Sequence, residues 1–328
     1  MALVSIVTPV YNGEAFLDEC IQSVQKQTFS DWELVIVDNC STDRSRAVAE
    51  RYAMADPRIR VYHNDQVLPV IASFNRAATL ASTESRYLKF LCADDVLFPE
   101  CVQRMVEVAE ANPAVKLVAA YKIHGRSPVC EGPSYPEQIL DGREVCRRFF
   151  HGTLGYLGSP TDHLLRLPTR IENGRMFDEA FLHADIEFWV RLLKDGSAYG
   201  FVHQILTFTR VHEGAVSGFA HVMGTGTIEF LAMADRHGRS FLPRDEYARV
   251  VKRYRRTYAR FMFRSLLKVW DRRIWRFQVE NRKKFGIDMG VAEVLAAGLS
   301  EFAASALAPV DTLRRLRRED ARRRASRQ

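Results

Sequence analysis

A chain of 328 residues, 47% apolar and 27% charged, is too long for one minimal core and too apolar for extended disorder. Six scattered cysteines (Cys20, Cys40, Cys92, Cys101, Cys130 and Cys146) form no C-x-x-C pair, which argues against a disulfide framework or a zinc site and for a reducing compartment. The net charge of +7 is concentrated late, between Lys252 and Lys284 and again from Arg314 to Arg327, and so points to an anionic partner for that end.

Leu3 to Val7 reads as a strand; with no basic segment before it and Pro9 and Asn12 soon after, it is not a signal peptide. Apolar residues at helical spacing follow from Ala15 to Val24, then a β-branched run from Leu34 to Val37, completing a β-α-β unit. A helix over Asp43–Ala55, a strand over Ile59–Tyr62, a helix over Val70–Ala81 and a strand over Tyr87–Leu91 continue the alternation, which predicts an α/β fold with a mainly parallel sheet and flanking helices. Further on come a helix to Ala111, a strand over Val115–Tyr121, a loop over Gly125–Pro136, helices over Gly142–Phe150 and Asp185–Lys194, and a strand over Ile205–Arg210. Past His221 the chain turns basic, aromatic and helical, which divides it into domains 1–220 and 221–328. No apolar run reaches 18 residues, so the expectation is a cytoplasmic protein, at most peripheral on the inner face of the membrane.

Ligands of such sheets gather at the carboxyl ends of the strands. Those ends are polar throughout: Thr8 to Asn12, Asp38-Asn39, His63-Asn64-Asp65 and Asp94-Asp95. Two adjacent carboxylates repel, and a divalent cation shared with substrate phosphates would relieve them; the plainer alternative is a cap on the next helix. Asp185, in Asp185-x-Glu187, is either a helix N-cap or a general base aimed into a cleft. His212, before a flexible turn, is a structural residue, a further metal ligand or a phosphate contact. Neither G-x-G-x-x-G nor G-x-x-x-x-G-K-[ST] occurs, and there is no G-x-S-x-G elbow, which weakens dinucleotide, P-loop and serine-hydrolase readings.

In order, Ser5-Ile6-Val7-Thr8-Pro9-Val10-Tyr11-Asn12-Gly13, the block Gln27 to Asp43, Ser73 to Ala77, Tyr87 to Asp95, Phe177-Asp178-Glu179 and Ala184 to Leu192 resemble glycosyltransferase family 2, over about residues 3–217. The resemblance implies a GT-A fold, with a nucleotide-binding half at 1–115 and an acceptor-binding half at 116–220. It also implies roles: Thr8, Pro9, Tyr11 and Glu14 beside the nucleoside, Asp38 on the base edge, Asn75 or Arg76 near the nucleotide, and Asp94 on a Mn2+ or Mg2+ bridging the diphosphate. Asp95 and His212 are further metal candidates, and Asp185 falls where the family's catalytic base lies. Cys92 stands where the family commonly has Asp, and Ala184 where it has Glu.

The implied reaction is an inverting transfer of one sugar from a nucleotide-sugar, a UDP-sugar, to a glycan or lipid-linked acceptor in bacterial surface polysaccharide synthesis. The processive members' Q-x-x-R-W block and membrane helices are absent. A sugar nucleotidyltransferase would need a Gly-rich basic loop after the first strand, and a non-catalytic anionic-surface binding protein would leave the strand-end acids unexplained. In the C-terminal region, Tyr254, Tyr258, Phe261, Phe263, Trp270, Ile274, Trp275 and Phe277 interleave with Arg and Lys, a pattern suited to an anionic membrane surface. Val291 to Val310 could add an apolar face, and a helical bundle packed on the first domain is the alternative. No nucleic-acid motif accompanies the charge.

Overall fold

The computed structural model describes residues 2–154, 157–168, 175–267 and 272–307; Trp270, Val310 and the Arg-rich tail from Arg314 lie outside them. The chain divides into two compact units, Met1–Arg210 and Val211–Gln328. The break follows directly on the last strand of the sheet, earlier than the change of composition at His221 suggested, because the connecting turn already belongs to the helical unit.

The first unit runs β1 (Val4–Val10), α1 (Leu17–Gln25), β2 (Trp32–Asp38), α2 (Ser45–Ala55), β3 (Ile59–His63), α3 (Val70–Thr79), β4 (Tyr87–Phe90), β5 (Val96–Leu97), α4 (Cys101–Ala111), β6 (Val115–His124), β7 (Ser127–Val129), β8 (Ile139–Asp141), α5 (Gly142–His151), β9 (His163–Arg166), α6 (Ala184–Leu192) and β10 (Ala198–Thr209). One sheet holds these strands in the order β3-β2-β1-β4-β9-β6-β10-β5, with β7 on β6 and β8 on β10. The first four are mutually parallel, so their carboxyl ends share one edge. Beyond them the sheet is mixed: β9 is antiparallel to both β4 and β6, while β6 and β10 are parallel.

Every residue of β1 is buried, as a central strand covered on both faces requires. Leu17, Cys20, Ile21 and Val24 form the inward stripe of α1 and join Val4, Ile6, Leu34 and Ile36 in the core. The strand reaches Val10, so Thr8 and Pro9 lie inside it and not in the following loop. Pro9 is tolerated there for a reason visible in the ladder. Leu3 and Val7 present their carbonyls to Arg86 and Leu91 of the β4 side, so the odd residues of β1 address β4, and Pro9 falls beyond the last of those bonds.

The second unit contains α7 (Val216–Met223), α8 (Thr225–His237), α9 (Arg244–Leu267), α10 (Arg272–Phe285) and α11 (Val291–Leu307). Its core is Ile228, Leu231, Tyr258, Ala259, Met262, Met289 and Val294, with Tyr254, Phe261, Phe263 and Trp275 packed against it. This corrects the sequence expectation for the rings: Tyr258 is buried, Phe277 lies edge-on to Phe219, and aromatic side chains hold the bundle together instead of facing outward.

Candidate functional site

The acid pair follows β4 and is fixed by residues far away in sequence. The Cys92 N–H donates to Thr161 Oγ1 at 3.1 Å, and that hydroxyl donates to Asp95 Oδ2 at 2.7 Å. Asp95 Oδ1 accepts the Arg210 N–H at 3.1 Å, while the Arg210 guanidinium donates to the Asp94 carbonyl at 3.0 Å and to Glu19 at 2.6 Å. Asp95 is buried, and burial followed by the neighbouring Asp94 charge raises its carboxyl well above the usual carboxylate range. Asp94 keeps part of its surface exposed.

Ligand atoms of Cys92, Asp94 and Asp95 lie within 4.8 Å of one another. Two carboxylates fit a hard divalent cation. Cys92 fits less well, because burial and then the two acids push its thiol far up and keep it protonated. Asp94 is therefore the better-placed ligand, with Asp95 held back by Thr161 and Arg210.

At the ends of β1 and β2 the loops are stitched together. Asn12, in the left-handed region at φ 50°, donates its N–H to Ser41 Oγ at 2.9 Å and accepts the Thr42 N–H at 2.8 Å. The Glu14 carboxylate accepts the Arg44 N–H at 2.8 Å, and Gly13 donates to Ser45 Oγ at 2.8 Å. Tyr11 is left 52% exposed. Thr8 and Pro9 are buried within β1, and no partner for the Thr8 hydroxyl lies among the described residues. Asp38, nearly buried at the end of β2, accepts the Ser41 N–H at 3.2 Å and lies 3.5 Å from His63 Nδ1.

Asn75, in α3, is bonded into the fold. Its Oδ1 accepts the N–H groups of Met176 and Phe177 at 3.1 and 2.8 Å, and its Nδ2 donates to the Phe177 carbonyl at 3.0 Å and to Glu179 at 3.3 Å. All four hydrogen-bonding positions of the amide are committed to the fold. Arg76 beside it is exposed and shows no ion pair among the described residues.

Asp185 sits in the first turn of α6, two residues inside the N-cap His183, which replaces the N-cap reading. It retains some surface, yet protein packed around it pushes its carboxyl up to about 6, against the opposing effects of His183 and of the helix N–H groups of Ile186 and Asp185. Lys122 also acts on it, and Lys122 is ion-paired with Asp162 at 2.7 Å, whose charge in turn raises Asp95. Glu187, the neighbouring acid, is buried against Arg191. His212 belongs to the second unit.

Residues 5–148 match the model described as glycosyl transferase family 2. Over that segment the chain resembles glycosyltransferase family 2. Among relatives, the Escherichia coli UDP-Glc:alpha-D-GlcNAc-diphosphoundecaprenol beta-1,3-glucosyltransferase WfgD is 26% identical over 196 residues, 60% of this chain and 71% of that protein. Three curated relatives that match at 33% to 41% identity are spanned over only 13% to 41% of their own length. The fold resembles S. aureus TarS 1-349 in complex with UDP-GlcNAc, with a TM-score of 0.60 at 19% identity over 81% of this chain and 72% of that one. It also resembles the mannosyltransferase PcManGT from Pyrobaculum calidifontis in complex with GDP-Man and Mn2+, with a TM-score of 0.59 at 13% identity over 99% of this chain and 85% of that one. These likenesses establish the GT-A fold.

Several residues that shape this candidate site gave no local signal in the sequence. Thr161 lies in a single turn, Pro160–Asp162, and reaches Asp95 across 66 positions. Arg210 had appeared only as a strand end, yet it ties Asp94, Asp95 and Glu19 together. Asp162, in the same turn as Thr161, accepts from Lys122, Thr207 and Ser159, so a largely buried polar cluster underlies the acid pair.

Proposed function

We propose that this protein moves a single sugar from a nucleoside-diphosphate sugar, a UDP-sugar, to an acceptor hydroxyl with inversion at the anomeric carbon. The observation that carries the reading is Asp185: an acid at the start of a helix, raised to about 6 and not committed to an ion pair with Glu187's partner Arg191, in a family 2 domain. Such a group is ionised at neutral pH and basic enough to take a proton. Tyr11 would receive the base on its exposed face, Asp38 would accept from the base edge, and Arg76 would meet phosphate. Asp94, with Asp95 behind it, would hold Mn2+ or Mg2+, which when bound supplies positive charge to the departing diphosphate. The UDP-GlcNAc and GDP-Man complexes of the two structural neighbours support a nucleotide-sugar donor. WfgD, whose name specifies a diphosphoundecaprenol-linked acceptor, supports a glycan or lipid-linked acceptor in surface polysaccharide synthesis.

Asp185→Asn tests the reading, because it keeps size and hydrogen bonding and removes the proton acceptor. Turnover is expected to fall by about 10² to 10⁴ with UDP affinity by calorimetry unchanged. A folded, UDP-binding variant with full transfer would remove Asp185 from the reaction. Asp94→Ala should abolish Mn2+-dependent nucleotide binding without lowering the melting temperature, and Asp95→Ala should lower the melting temperature, since its bonds to Thr161 and Arg210 are structural.

A further inference from the structure

Along α9 the acids stop after the first turn, at Asp245 and Glu246, while arginine and lysine continue as far as Arg264. Arg249, Lys252, Arg253, Arg256 and Arg260 follow one another at i, i+3, i+4, i+7 and i+11 and, with Thr257, line a groove of about 330 Å³. At 3.6 residues per turn the five cations fall within about 100° of arc and span about 16 Å of the helix. Tyr258, buried in the core of the second unit, stands on the opposite side of α9.

Elsewhere this chain pairs its helix arginines with acids one turn away: Arg46 with Glu50, Arg104 with Glu100, Arg148 with Glu144 and Arg191 with Glu187. On α9 itself Arg255, outside the groove, meets Glu293 at 2.6 Å. The groove breaks that habit. Arg249, Lys252, Arg256 and Arg260 make no ion pair among the described residues, and the buried Arg260 Nε has no acceptor among them. Arg249 stands one turn from Arg253, Lys252 from Arg256 and Arg256 from Arg260, so each cation repels the next and a bound anion would relieve the whole row.

The geometry points to this face of α9 as the binding site of a linear anionic glycan, a sugar chain carrying phosphodiester or carboxylate groups along its length. Four of the five cations are arginines, whose planar forks match both kinds of anion. A row about 16 Å long meets several charges of one chain at once, beyond the reach of a single phosphate. Thr257 Oγ1 donates to the Arg253 carbonyl at 3.1 Å, which leaves its oxygen to accept from a sugar hydroxyl. A single-stranded nucleic acid would stack its bases on rings, and none lines the groove. A bilayer would take apolar side chains inserted beside the cations; none lines the groove either, and no described helix is long and apolar enough to cross a membrane. That the anion is a glycan rests on the glycosyltransferase reading above; that the face takes an anion does not.

Oligogalacturonate, with a carboxylate on every sugar, is the probe for the full-length protein by calorimetry. It should bind with an affinity that falls as salt is added, and neutral dextran of similar length should not bind. Arg249→Gln with Arg256→Gln should weaken binding by roughly tenfold. The melting temperature of that variant without ligand should hold or rise, because two repelling charges are gone, whereas a structural role for these arginines would lower it. Lys26→Gln with Arg126→Gln removes the same net charge from exposed positions of the first unit and should leave the affinity unchanged. An equal loss in that control, or no binding by the parent protein, overturns the proposal. So does tighter binding of poly-uridine or of phosphatidylglycerol vesicles that the α9 variant loses, which would give the face to a nucleic acid or to a bilayer. Transfer from a UDP-sugar to a short uncharged acceptor should be the same in the α9 variant as in the parent. Failure of the glycan site therefore leaves the reaction standing, and an inactive parent that still binds oligogalacturonate faults the reaction alone.

Discussion

The loops after β1 and β2 and the segment that delivers Asp185 both carry polar residues at places a ligand could reach, but their hydrogen bonds do different work. In the loops, Asn12, Glu14, Ser41, Thr42 and Arg44 bond to one another at the surface, where water is a ready substitute partner. Before α6, Met176 and Phe177 are held from two sides, by Asn75 of α3 and by Arg191 of α6, which donates to the Met176 carbonyl at 2.7 Å. The Asn75 bonds are buried, so each has no alternative partner if broken. Polar residues at a sheet edge thus divide into those that can turn to a ligand and those that aim others.

The sharpest test of that division is the cluster beneath both acids. Burial alone would raise the Asp162 carboxyl; the Lys122 ammonium and the Ser159 N–H outweigh it and hold Asp162 below the usual carboxylate range. Lys122→Met leaves that carboxylate buried without its cation, and stability should fall by about 3–5 kcal/mol, measured by denaturant unfolding. Adding Asp162→Asn to Lys122→Met should recover part of the loss. If Lys122→Met is neutral, the cluster contributes nothing to the fold.

Next in size is Asn75→Ala. It strands the N–H groups of Met176 and Phe177 and the Phe177 carbonyl, at a cost of about 3 kcal/mol. If Asn75 acts by aiming the segment that leads to Asp185, turnover should drop while UDP affinity by calorimetry stays constant. A tenfold loss of UDP affinity with full turnover at saturation would return Asn75 to the nucleotide and break the comparison.

This division was only partly legible in the sequence. Alternation and β-branching revealed β1 to β4 and their helices, because each is bounded by its own turn residues and buries its own stripe. β9 was missed: four residues, His163 to Arg166, carry too short a pattern, and their place between β4 and β6 depends on partners distant in the chain. The first half of β10 was missed because Gly200 interrupts it, although a Cβ there would come within 2.7 Å of Val108 and so the glycine is demanded by helix packing. Asp94 and Asp185 announced themselves by type and position. That Asn75 clamps residues 101 and 102 positions away could not be read from its neighbours, and neither could the locking of Asp95 by Thr161 and Arg210.

The smallest effect separates Asp185 from Asp162, the structural acid whose carboxyl is lowered, by the direction in which two measurements move. Its carboxyl is raised to about 6 in the folded protein, against about 3.9 for an unperturbed Asp. As the base it must be ionised, so kcat/KM should be flat above pH 7 and fall towards tenfold per unit as pH drops below about 6. Stability should respond in the opposite sense. Between about pH 4 and 6 the folded state binds this proton more readily than the unfolded chain, so the contribution of Asp185 to stability grows on acidification and is lost as pH rises through 6. A lowered acid such as Asp162 behaves the other way, giving stability that disappears as pH falls. Melting temperatures of the parent protein and of Asp185→Asn, followed across this range, should therefore differ by a gap that shifts in favour of the parent as pH falls, while the parent loses activity. A gap that is constant with pH, or an activity limb that persists in a residual-activity Asp185→Asn protein, would assign the titration to another group and leave Asp185 without a catalytic part.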